Sequence, residues 1–100
     1  MNEKSVKKLM MDLVERFGEE TQLDMIANRS LQLALSIQEY KKVNIKEDYS
    51  RYVKSYNDVC EKLGYMKLMM KQAEFLFNGN SIEQSFETES ENLSKSLNHY

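Results

Sequence analysis

Asp58 is an acid set in a polar patch of the sequence. Lys54 stands one helical turn before it and Ser55 is close by on the same helix. A second polar cluster, Asn28, Arg29, Gln32 and Ser36, interrupts the otherwise apolar stretch "LDMIANRSLQLALSIQEYKK" at residues 23–42. At about 100° per residue, positions 28, 32, 36 and 39 share one helix face, with 29 beside them. If the two helices pair antiparallel, the clusters meet in a cleft, and a polar strip inside a helix bundle is how carboxylate–metal sites are built. Other reactive groups are scarce. Cys60 has no His or basic partner at a recognisable spacing, and His99 lies near the end of the chain, so nucleophilic catalysis has no candidate pair.

Helices must position these residues. Val6, Leu9, Met10, Leu13, Val14 and Phe17 recur at the three-four spacing of one buried face, and Gly18 follows where a C-terminal cap belongs. A second helix is expected from Thr21, with Asp24 completing a capping-box pattern, to about Tyr40. Lys41 and Lys42 then complement its C-terminal dipole. Asn44 is the expected N-cap of a long third helix ending near Phe77, bent or loosened at Gly64. Unbroken, it would measure about 50 Å at 1.5 Å per residue. "NGNS" at 78–81 reads as a loop, and Ser81 with Gln84 as the cap of a weaker fourth helix carrying Ile82, Phe86, Leu93, Leu97 and Tyr100. The expectation is one all-α domain over 1–100: an antiparallel bundle of three long helices plus a C-terminal helix, loosely packed over 78–100.

Composition agrees. With no Pro and only three Gly, the 100 residues lack the turn residues that strand-rich folds need. A chain this short buries a modest core, and the long third helix suits a partner subunit, so a homodimer is expected. The formal charge of −2, with both signs mixed, offers nothing to nucleic acid or to an anionic membrane surface. No apolar run approaches the roughly 18 residues of a membrane span. The N-terminal stretch, interrupted by Asp12 and Glu15, reads as an amphipathic helix rather than a signal peptide. A single Cys fits a reducing cytoplasm. Lys far outnumbers Arg, and Asn, Ser, Tyr and Met are plentiful, as in an AT-rich bacterial or phage gene.

From Phe17 to about Phe77, "FGEETQLDMIANRSLQLALSIQEYKK" and "YVKSYNDVCEKLGYMKLMMKQAEFLF" resemble the small MazG-like proteins of the all-α nucleoside triphosphate pyrophosphohydrolase superfamily. That resemblance implies a Glu-Glu-x-x-Glu helix after a Gln-Leu pair, and a Glu-x-x-Asp-Val helix after a polar loop. The resemblance implies that carboxylates of these two motifs hold Mg²⁺ for attack by water between the α and β phosphates. Here the implied metal positions are Asn28, Arg29, Gln32, Ser55 and Asp58, so only Asp58 keeps its carboxylate, followed by Val59. Mg²⁺ demands anionic oxygens, and a guanidinium beside it repels it. Arg29 is therefore expected to pair with Asp58 in place of the metal.

The remaining features have plain readings. Asn28, Gln32 and Ser36 also suit a solvated face. Tyr49, Tyr52 and Tyr56, continuing through Val59, Cys60 and Leu63, suit a core or subunit interface better than a base-stacking platform. Met66, Met69, Met70, Ala73, Leu76 and Phe77 suit a core, or else an adaptable partner surface. Cys60 is expected to be buried. Glu19 and Glu20 complement a helix N-terminus outside the cleft. Together these lead to the expectation of a non-catalytic MazG-like protein, with no metal or cofactor, that acts by protein–protein binding, as a phage- or mobile-element inhibitor of a host protein would. The alternatives are a Mg²⁺-dependent pyrophosphohydrolase and a nucleotide-binding module without catalysis.

Overall fold

The computed structural model describes residues 2–98, which form four helices: α1 (Glu3–Phe17), α2 (Glu19–Lys42), α3 (Tyr49–Leu76) and α4 (Gly79–Leu97). No strand occurs among the described residues. His99 and Tyr100 lie outside them.

Each boundary has a local cause, and several differ from expectation. Gly18 ends α1, donating its N–H to the Val14 carbonyl at 2.8 Å. Its φ of 85° is the only positive value among the described residues, and α2 starts directly behind it at Glu19 rather than Thr21. The N-cap residue is Gly18 itself, which has no side chain to cap with, so Glu19 and Glu20 complement the first turn of α2 by charge alone. α3 starts later than expected. Asn44 accepts from the Lys46 N–H and serves a turn, whereas Asp48 caps α3 by accepting from the Arg51 N–H at 2.9 Å. α3 then runs unbroken through Gly64 for 28 residues, about 42 Å at the standard rise. Asn78, not Ser81, caps α4, accepting from the amides of Asn80 and Ser81.

α2 and α3 form an antiparallel hairpin, and their mutual packing is the main tertiary contact of the chain. Side chains pair in falling order along it, from Gln22 with Gln72 to Tyr40 with Tyr52. α1 lies against both helices, while α4 packs against α3 alone.

The apolar core is small. Met10 and Met69 are the buried hydrophobic residues among those described, and Gln22, Ser36 and Gln72 are buried with them. The expected methionine core therefore holds only in part. Met66, Ala73 and Leu76 are half-buried, and Met70 and Phe77 are exposed. Cys60, expected inside, is exposed. The radius of gyration is 17.3 Å, against about 13 Å for a compact domain of this length. The chain exposes 8225 Å², on the order of 2,000 Å² more than a compact monomer of its mass.

Candidate functional site

The two polar clusters meet at one pair, Ser36 with Asp58, while Asn28, Arg29 and Gln32 do not reach the α3 patch. Along α2, Gln22, Arg29 and Ser36 recur every seven residues, and along α3 so do Asp58, Tyr65 and Gln72. In the antiparallel hairpin they form three polar layers, roughly 10 Å apart at seven residues of helical rise. Recurrence at seven keeps all six side chains on the seam between the two helices.

The first layer is a fully buried amide pair, in which Gln72 Nε2 donates to Gln22 Oε1. The other two polar atoms, Gln22 Nε2 and Gln72 Oε1, find no partner in the protein. In the second layer the Arg29 guanidinium lies over the Tyr65 ring, 4.4 Å from its centre, and donates to Gln32 Oε1 at 3.3 Å. The Tyr65 hydroxyl donates to Glu61 at 2.7 Å, and that carboxylate raises the tyrosine pKa. In the third layer Ser36 Oγ donates to Asp58 Oδ2 at 2.5 Å, and Lys62 Nζ reaches Oδ1 at 3.3 Å. These bonds, Ser36 first and Lys62 second, hold the Asp58 pKa below the ordinary carboxylate value. Beyond it Tyr40 and Tyr52 pack with ring centres 5.7 Å apart, and the Tyr40 hydroxyl bond raises the Tyr52 pKa. Arg51 and Glu39 pair at 2.5 Å on the surface.

The expected Arg29–Asp58 pair does not form. Arg29 points along α3 to Tyr65, one heptad beyond Asp58, and Lys62 supplies the cation at Asp58 instead. Asn28 is exposed, Gln32 is half-buried beside Arg29, and Ser55 is half-buried one turn from Asp58.

These residues do not fit the Mg²⁺ centre that the resemblance implies. Asp58 is the sole carboxylate among the five positions, and each of its oxygens already accepts a hydrogen bond, one from an ammonium. Its side chain is 46% exposed, so the group lies at the edge of the seam rather than in a closed cage. Among the described residues no three His, Cys, Asp or Glu side chains stand together in a way that could hold a metal ion. The open depression beside Asp58 contains Glu39 and Glu61 as well as Arg51 and Lys54. With Arg51 engaged by Glu39, acids outnumber free cations there, a poor setting for a triphosphate.

The sequence reading did not single out Gln22, Gln72, Tyr65 or Lys62. For the first three the signal was the seven-residue recurrence of polar residues on both helices; Lys62 lies outside it, one helical turn after Asp58. Of the expected interface set, Tyr49, Tyr56 and Met70 are exposed, Tyr52 and Met66 are half-buried, and Met69 is buried. Compared with family models, with curated proteins and with solved structures, the chain finds no match in any of the three.

Proposed function

We propose that this chain is a non-catalytic, MazG-like helical protein that works by binding other proteins, as a homodimer, and that it serves a phage or mobile element by inhibiting a host protein. The observation that carries this reading is the state of Asp58. The one acid left at the implied metal positions is spent on Ser36 and Lys62, joining two helices. The lack of a clustered donor set among the described residues supports a reading without metal-generated hydroxide or phosphate neutralisation.

Binding is supported by what the helices leave uncovered. Phe86, Leu93 and Leu97 of α4 are each more than three-fifths exposed, and Ile82 is half-buried on the same helix. Glu83, Glu87, Glu89 and Glu91 surround them. An amphipathic helix of this kind lays its apolar face into a groove of a partner, and its acidic flanks favour a basic rim.

The test uses the purified protein as bait, followed by rebinding of any captured protein after separate purification. A stoichiometric complex weakened by Phe86→Glu and Leu93→Glu is expected. Rebinding that ignores both substitutions, or no rebinding partner at all, contradicts the reading.

A further inference from the structure

α3 carries a second heptad stripe, distinct from the seam that faces α2. Tyr49, Val53, Tyr56, Cys60, Leu63, Lys67, Met70 and Glu74 alternate at spacings of four and three along its whole length, and the C-cap residue Phe77 continues the pattern. Every one of them is exposed, among them Tyr49 at 67%, Leu63 at 48% and Phe77 at 55%. A strict four-three alternation is the pattern of a helix that packs against another helix. Among the described helices none covers it.

We infer that this stripe is the interface for a second copy of the chain, formed by two α3 helices running antiparallel about a two-fold axis between Cys60 and Leu63. The inference gives a surface to the homodimer of the proposed function, and it stands or falls independently of any host partner. An isologous contact requires a self-complementary patch, and the stripe is one. With the axis between Cys60 and Leu63, Cys60 meets the partner's Leu63 and Val53 meets the partner's Met70, giving apolar layers around the centre. The two charged members then meet aromatic residues. Lys67 falls against the partner's Tyr56, where an ammonium is attracted to the ring face. Glu74 falls against the partner's Tyr49, whose hydroxyl is a donor for the carboxylate.

Three further observations agree. Gly64 sits in mid-helix beside the stripe, with nothing of its own chain within 4 Å of where a Cβ would stand. Glycine there weakens α3 without relieving any contact inside the chain, but it lets a neighbouring helix approach closely. The groove between α1 and α3, walled by Val6 and Met10, opens beside Lys67 and Glu74, where the partner's Tyr49 and Tyr56 would lie. Finally, the surplus surface, on the order of 2,000 Å², exceeds the roughly 800 Å² that each partner buries in a standard stable interface.

Cys60, the lone cysteine, reports the axis directly. The full-length protein is treated with a short bis-maleimide reagent, and its mass is measured by light scattering before treatment. A solution dimer is expected, with covalent dimer forming in the native protein and not in Cys60→Ser. Leu63→Glu and Tyr56→Glu should each raise the dimer dissociation constant by about 100-fold or more while helical circular dichroism is retained. If Leu63→Glu unfolds the chain, the cross-link in the native protein still decides. A monomer at high concentration, or a dimer that Cys60 cannot cross-link, overturns the inference.

Discussion

Ser36 of α2 donates a 2.5 Å hydrogen bond to Asp58 of α3, and this bond joins the two longest helices at the place where the resemblance implies a metal. A deprotonated Asp58 is the form this contact favours, which lowers its pKa, through Ser36 first and Lys62 second. The contribution of a depressed carboxylate is fully present above its unfolded value near about 4 and is lost as pH falls through the lower folded value. Wild type should therefore melt higher than Asp58→Asn at neutral pH, and the two melting curves should converge below about pH 4. Ser36→Ala should narrow the same pH dependence. Thermal melts across pH check this, and parallel curves would count against the clamp.

The Gln22–Gln72 pair makes a prediction of opposite sign. Each unpartnered buried polar atom costs about 1–3 kcal/mol. Replacing both residues by Leu should raise stability by about that amount, whereas Gln72→Leu alone should lower it by stranding the Gln22 amide. Polar residues at seam positions specify register at a cost in stability. The double variant should accordingly show poorer NMR dispersion despite its higher melting temperature.

Gly18 links α1 to α2 with φ 85° and ψ 159°, a region other residues rarely enter. No atom lies within 4 Å of an added Cβ, so Gly18→Ala acts through the backbone alone. A cost of about 1–3 kcal/mol is expected, lowering the melting temperature by roughly 4–8 °C per kcal/mol. An unchanged melting temperature would mean that the α1–α2 turn adopts another conformation.

Returning acids to the seam tests what their loss did. The fourfold variant Asn28→Glu, Arg29→Glu, Gln32→Glu and Ser55→Glu should be stabilised by Mg²⁺ by about 1–3 kcal/mol at saturating ion, and the native chain should not respond. Mg²⁺ stabilisation of the native chain at millimolar concentration would show that Asp58 retains a metal role.

Much of this arrangement was legible in the residues. The absence of Pro and the three-four spacing dictated helices, and the polar patches at Ser36 and Asp58 were expected to meet across an antiparallel pair, as they do. What escaped was rotational phase. α3 is apolar on two faces, one with Val59, Met66 and Met69 and the other with Tyr56, Cys60 and Leu63, and spacing alone does not say which turns inward. That ambiguity placed Cys60 inside and left Gln72 unnoticed, fifty positions from its partner Gln22. The Arg29–Asp58 pair failed for a related reason. A guanidinium on the seam chooses among several neighbours, and the Tyr65 ring one heptad away was not recognised as one of them.

We propose that the seam clamps the two helices and is not a centre for phosphate chemistry. The most direct test is to incubate the purified native protein with each nucleoside triphosphate and Mg²⁺ and to measure pyrophosphate release. Release no faster than the uncatalysed background, unchanged by Asp58→Ala, is expected of a seam that only joins the two helices. Turnover that Asp58→Ala abolishes would contradict it.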